Sequence, residues 1–160
     1  MSKKIKTNAM RLLDQQKIFY DVFTYFGDDV DNGVDVAIKM GNDPKQQFKT
    51  LVTEAKSGNH YVFLVPVEAS LDLKAAAQAV NEKNVHMIKE KELEPLTGYV
   101  HGGCSPLGMK TDFPVTIDQS AENFDAIIFS GGKVGLAISV ALSDLPQAIS
   151  DLNFANIVTY

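Results

Sequence analysis

Residues 125–141 read DAIIFSGGKVGLAISVA. DAIIFS and KVGLAISVA are both rich in β-branched and apolar residues, so each predicts a strand. Ser130-Gly131-Gly132, lying between them, predicts the turn that joins them. Strands joined by so tight a turn run antiparallel, because a parallel pair needs a crossover of a dozen or more residues. A doubly wound parallel sheet is therefore not the expected fold.

The rest of the chain extends this pattern. HYVFLVPV at residues 60–67 is almost continuously apolar and predicts a strand buried on both faces. QFKTLVT at 47–53 alternates: Phe48, Thr50 and Val52 share one face, and Lys49, Leu51 and Thr53 the other. IFYDVFTYF at 18–26, FPVTID at 113–118 and NIVTY at 156–160 are also strand-like. Helices are expected over residues 3–17, over Val34–Met40 with Gly41 as its cap, and over LDLKAAAQAV with Ser70 as its N-cap. Lys89–Leu93 and SDLPQAIS at 143–150 predict two further short helices. GDDVDNG, Asn42-Asp43-Pro44 and TGYVHGGCS are turn material. Interspersed helices and tightly turned strands give a mixed α/β fold, its sheet largely antiparallel and barrel-like, flanked by helices.

A chain of 160 residues without repeats or a long linker makes one domain, residues 1–160. Its single cysteine, Cys104, excludes an internal disulfide framework and suits a reducing compartment. There is no signal-peptide pattern and no apolar run of membrane-spanning length, so a cytoplasmic protein is expected. The net charge is −5, and all of it falls in residues 81–160. Residues 1–17 hold Lys3, Lys4, Lys6, Arg11 and Lys17 against Asp14 alone. A solvated helix face explains that cluster more simply than a phosphate-binding patch.

Chemistry-bearing motifs are few. His60, His86 and His101 do not combine with Cys104 into a four-ligand set, so no metal is expected. No nucleophile elbow, P-loop or dinucleotide fingerprint is present, and no cofactor is implied. Cys104 with His101 as its base is conceivable, but a loop cysteine without catalytic duty is the plainer reading. The loop Gly102-Gly103-Cys104-Ser105-Pro106 could aim backbone N–H groups at one oxygen, as could Ser130-Gly131-Gly132. Lys49 is the odd residue, a cation on an otherwise apolar or hydroxyl-bearing strand. If its face lines a pocket, partial burial lowers its pKa and frees the amine for a ligand carbonyl.

Taken together, KTNAMRLLDQQKI, FTY, FKTLV, LDLKAAA, ELEPLTGYVHGGCSPLGMK and IIFSGGKVGL, in this order, resemble the YbaK family of aminoacyl-tRNA deacylases. These are bacterial Cys-tRNA(Pro) deacylases related to the editing domain inserted in prolyl-tRNA synthetases. The resemblance covers essentially the whole chain. It implies removal of cysteine from mischarged tRNA(Pro), a second sieve for a residue close to proline in size. It places the essential lysine at Lys49 and the aminoacyl-pocket loop at Gly102, Gly103, Ser105 and Pro106. Tyr25 matches the first-strand tyrosine, and Ser130, Gly131 and Gly132 match the SGGK segment. The implied mechanism needs no protein nucleophile, because the cysteinyl thiol attacks its own ester. The implied partners are the 3′ end of mischarged tRNA(Pro) and prolyl-tRNA synthetase, with no DNA and no membrane. Many relatives carry an arginine after SGGK; here Val134 stands there, and Arg11 is the only arginine of the chain. The alternatives are a deacylase for another small amino acid such as alanine, and a non-catalytic module that binds tRNA or the synthetase.

Overall fold

A computed structural model describes residues 6–25 and 33–160. In chain order the helices are α1 (Asn8–Gln15), α2 (Gly33–Lys39), α3 (Leu73–Ala79), α4 (Glu90–Thr97) and α5 (Leu145–Ala148). The strands are β1 (Tyr20–Thr24), β2 (Phe48–Ala55), β3 (His60–Pro66), β4 (Ser70–Leu71), β5 (Val85–Met87), β6 (Val115–Asp118), β7 (Ala126–Lys133), β8 (Leu136–Ala141), β9 (Leu152–Ala155) and β10 (Val158–Thr159).

Three of the helices stop in the same way. A residue at positive φ follows the last turn: Lys17 (φ 58) after α1, Gly41 (φ 80) after α2 and Asn81 (φ 60) after α3. The next N–H then reaches back to a carbonyl of the last turn, Ile18 to Leu13, Asn42 to Ala37 and Glu82 to Ala77. Gly41 is thus the cap expected from the sequence. The N-cap of α3 is Asp72, not Ser70: its carboxylate accepts from the N–H groups of Lys74 and Ala75. Ser70 is unavailable because it pairs with Thr159 in the β4–β10 ladder.

The strands form three sheets, ordered β1-β8-β7, β10-β4 and β5-β2-β3-β6-β9. Most ladders are antiparallel; β3–β6 and β6–β9 are parallel, with β6 between them. The fold is therefore the mixed, largely antiparallel α/β architecture expected, although the sheets do not close into one barrel. β3 is sandwiched between β2 and β6, and Val62–Pro66 is buried throughout, as its apolar run required.

One expectation needs correction. Ser130-Gly131-Gly132 is not the turn: β7 continues through it to Lys133, with a register irregularity between Ser130 and Lys133. Lys133 pairs with Leu136, so the turn is Val134-Gly135, with Gly135 at φ 86. His86 lies on β5. The sequence pattern also missed β5 and β9, both short edge strands. The turn expected at 27–33 lies outside the described residues, except for Gly33, which opens α2.

The larger core gathers Met10 and Leu13 of α1, Phe48 and Val52 of β2, Ile127 and Phe129 of β7, and Ile138 of β8. A second core lies on the other side of the large sheet, where Phe63 and Val65 of β3 meet Ala76 and Ala77 of α3. The helix α1 is fixed to β7 through one hydroxyl. Thr7 Oγ1 accepts from the Met10 N–H, capping the helix, and donates to the Gly131 carbonyl. Thr7→Ala removes both bonds and is expected to cost about 1–2 kcal/mol of stability. Urea unfolding measures this, and Thr7→Ser should recover most of the loss.

Candidate functional site

One edge of the β2 strand changes partner along its length, and the gap becomes a cavity. On the edge facing away from β3, its start bridges to β7, where the Ile128 N–H donates to the Gln46 carbonyl at 3.1 Å. Its end pairs instead with β5, from Thr53 to Ala55. Between these attachments lies a cavity of about 560 Å³, a size typical of small-ligand sites. One wall is β2 itself. The others come from Val36 of α2 and Met40 just after it, from Met87–Glu90, and from the β7–β8 hairpin (Ser130, Val134, Leu136). His101, Gly102 and Cys104 close the remaining side.

Lys49, Tyr25, Gly102 and Ser130 all line this cavity, as the sequence motifs suggested. They come from four separate parts of the chain, and the fold brings them to one place. Tyr25 is held beside the hairpin tip, where its N–H donates to the Gly135 carbonyl at 3.1 Å. Lys49 is half-buried, and desolvation pulls its pKa below the ordinary lysine value. Among the described residues its amine has no hydrogen-bond or ion-pair partner, so it remains available to a ligand.

The other motif residues do not reach the cavity surface. Gly103, Ser105, Pro106 and Gly131 are buried behind it, and Gly132 stands behind it half-buried. A Cβ on Gly103 would sit 2.8 Å from the Val134 N, and one on Gly132 would sit 2.9 Å from the Tyr99 ring. The two glycines therefore let the 101–105 loop, β7 and the N-terminal segment press together. Their N–H groups are engaged internally, Gly103 to the Val100 carbonyl and Gly132 to Ser130 Oγ. Ser105 Oγ likewise accepts from the Leu107 N–H. These residues shape the wall on which Gly102 and Cys104 are presented.

Several cavity residues escaped the sequence reading: Met40, Met87, Leu136 and Ala137 are apolar, and nothing in composition separates a cavity wall from a core. Thr50 escaped for another reason: it was read only as part of an alternating strand. Cys104 is buried at the cavity, and burial pushes its thiol up to about 11. No hydrogen bond joins it to His101 among the described residues, so the nucleophile–base pair is not formed. No group of three or more His, Cys, Asp or Glu is placed to hold a metal ion among the described residues. On the basic N-terminal segment, Lys6 is paired with Asp14 at 2.7 Å and also donates to Tyr20. No helix among the described residues is long and apolar enough to cross a membrane.

Comparison with known proteins places this chain in a family. The Aminoacyl-tRNA editing domain family matches residues 28–148. A protein of Enterococcus faecalis (strain ATCC 700802 / V583), named "Putative Cys-tRNA(Pro)/Cys-tRNA(Cys) deacylase EbsC", is 40% identical over 158 residues, 96% of this chain and 94% of that one. The chain belongs to the aminoacyl-tRNA editing domain family. Two solved structures share the fold. One, described as "a putative trans-editing enzyme for prolyl tRNA synthetase", has a TM-score of 0.81 at 22% identity, covering 98% of this chain and 100% of that one. The other, hypothetical protein APE2540, has a TM-score of 0.84 at 16% identity over 96% of this chain and 100% of that one.

Two titrations follow from the burial at this site. For Lys49 the folded pKa lies below the unfolded one, so its ammonium opposes folding at neutral pH. That penalty is complete below the lowered folded value and fades as pH rises toward 10.5. Lys49→Met is therefore expected to be more stable than the parent at pH 7, with the gap closing toward pH 10.5 in urea titrations. For Cys104, a shift from 9.0 to about 11 leaves roughly a hundredfold less thiolate at pH 8. Iodoacetamide should modify the folded protein correspondingly slowly, and the unfolded protein at the ordinary thiol rate.

Proposed function

We propose that residues 1–160 act as one cytoplasmic domain that removes cysteine from mischarged Cys-tRNA(Pro). The observation that carries this reading is Lys49, an unpartnered and half-buried amine on the wall of a cavity whose one thiol is held protonated. Such a site can bind and polarise an ester, and among the described residues no base is hydrogen-bonded to its thiol. The 40% identity to a protein named as a cysteinyl-tRNA deacylase supports the choice of substrate.

The chemistry is then supplied by the substrate. The cysteinyl thiol attacks the carbonyl of its own ester; a C–S bond forms and the C–O bond to the ribose breaks. The thiol proton ends on the ribose oxygen, and the products are free tRNA and a cyclic thiolactone. No water enters this step. The site holds thiol and carbonyl in attack geometry, which is where the rate gain arises. Lys49 orients the aminoacyl end and stabilises charge developing on the ester oxygens. Tyr25, Gly102 and Ser130 frame the pocket, while Gly103, Ser105, Pro106, Gly131 and Gly132 fix the loops that carry it.

Prolyl-tRNA synthetase is the proposed partner that presents the substrate. With a net charge of −5 and Val134 at the hairpin tip, the chain offers little phosphate steering. Weak, salt-sensitive binding to free tRNA is the corresponding expectation.

The test compares cysteinyl, seryl and alanyl esters of tRNA(Pro) with one enzyme preparation. Cysteine should be released fastest, serine poorly and alanine slowest, with a thiolactone detectable only from the first. Folded Lys49→Ala should lose deacylation, and Cys104→Ser should keep it. Faster release of alanine than cysteine would mean an activated water and an alanine editor. Turnover of none of the three esters, with binding of tRNA or synthetase retained, would leave a non-catalytic module.

A further inference from the structure

The edge of β2 that faces the cavity is not fully used, and Thr50 stands in the middle of the gap. The β2–β3 register pairs Phe48 with Pro66 through Glu54 with His60. At its two ends the Val67 N–H donates to the Gln47 carbonyl, and the Ala55 N–H to the Asn59 carbonyl, both at 2.8 Å. Hydrogen-bonded pairs alternate along an antiparallel ladder. Residues 49, 51 and 53 therefore turn their N–H and C=O toward β3, and residues 48, 50 and 52 turn theirs away. On that outer edge, Val52 accepts from the Ile88 N–H at 3.3 Å, and Gln46 accepts from the Ile128 N–H. Thr50 stands between these two attachments, and no strand pairs with it there among the described residues.

A second, independent observation concerns the same residue. Thr50 Oγ1 is shielded from solvent and has no hydrogen-bond partner. A buried hydroxyl left unpaired is unfavourable by more than a typical hydrogen bond contributes. Thr50 thus presents an amide donor and a carbonyl acceptor on the open edge beside a cavity that its own strand lines, with its unpaired hydroxyl buried next to them.

Resting on the deacylase reading above, we propose that Thr50 receives the aminoacyl group as a one-residue antiparallel strand. The substrate α-amino group donates to the Thr50 carbonyl, and the Thr50 N–H donates to the acyl carbonyl. This is the reciprocal pair that two opposed residues of an antiparallel ladder exchange. Partners in such a pair project their side chains from the same face of the sheet. The cysteinyl thiol then lies on the Thr50 side, where Oγ1, turned toward the ligand by rotation about χ1, accepts from its S–H. Thr50 is a positioning and specificity residue in this arrangement. It selects an L-residue, because inversion at Cα sends the side chain to the opposite face. It also requires a free amine and favours a side chain that can donate.

The probe is adenosine carrying an amide-linked L-cysteinyl group at its 3′ position, which cannot be deacylated. Binding is followed by amide NMR and hydrogen exchange on the whole chain. The Thr50 amide should shift and become protected from exchange when the probe binds. The D-cysteinyl probe and the probe lacking the α-amino group should bind about ten- to a hundredfold more weakly. Thr50→Val should keep its amide protection, but lose most of the preference for the cysteinyl over the alanyl probe. Thr50→Ser should restore that preference. Thr50→Val should not lower stability, since the hydroxyl has no partner to lose. Equal binding of the L, D and des-amino probes, or no change at the Thr50 amide, overturns the proposal while leaving deacylation standing. Failure of the L probe to bind, with no turnover of Cys-tRNA(Pro), overturns the deacylase reading and this proposal with it.

Discussion

The rest of the site depends on the hydrogen-bond satisfaction of one strand. Buried N–H and C=O groups need partners, and β2 finds them on three other strands. One edge goes to β3 along its whole length, and the other is divided between β7 at the start and β5 at the end. A strand that paired with one neighbour throughout would leave no space beside it. Because the outer edge changes partner, β7–β8 and β5 spread apart, and the cavity opens between them with Lys49 and Thr50 on its wall. Site and fold are consequences of the same divided edge.

The second constraint is steric. The loop at 101–105 approaches the β7–β8 hairpin so closely that Gly103 has no room for a Cβ beside the backbone of Lys133 and Val134. Gly132 is under the same restriction from Tyr99 and Thr7. Interiors are packed too densely to absorb an added methyl group at such points without backbone movement. Tyr99 reinforces the arrangement from below by donating to the Leu107 carbonyl at 2.6 Å. The glycine motifs therefore act on the cavity through its rigidity. Of their five glycines and prolines, only Gly102 is at the cavity surface.

This division explains what could be read in the sequence. The buried β3 was legible because HYVFLVPV admits no polar face, and Lys49 because a cation on an apolar strand calls for a reason. Gly41 was legible as a cap, since a positive φ after a helix favours glycine. Other features have no local signature. An SGG segment inside an irregular strand has the same composition as one in a turn, and only pairing across to β8 separates the two. Ser70 and Asp72 are equally good N-caps by type, and the distant β10 decides between them by claiming Ser70. The strands β5 and β9 are too short to show a period, and exist because β2 and β6 offer them an edge. Thr50 was hidden by the regularity of its own strand. Its side chain fits the alternation, and the unused edge appears only when every neighbouring ladder is placed.

The electrostatics of the cavity follow from the same architecture. Its wall is largely apolar, and desolvation acts on two of its titratable groups: it lowers Lys49 and raises Cys104. Both shifts favour the neutral form, so the wall disfavours isolated charge and favours directed hydrogen bonds. A protein nucleophile would have to ionise against that preference. A reacting group brought in by the ligand and held by backbone donors and acceptors does not, provided that the edge presenting them is rigid. The divided pairing of β2 and the glycine-permitted contacts behind the loops supply that rigidity. In the proposed reading, this site achieves selectivity through the shape and hydrogen-bond pattern of an unfinished sheet edge, with little contribution from an attracting field.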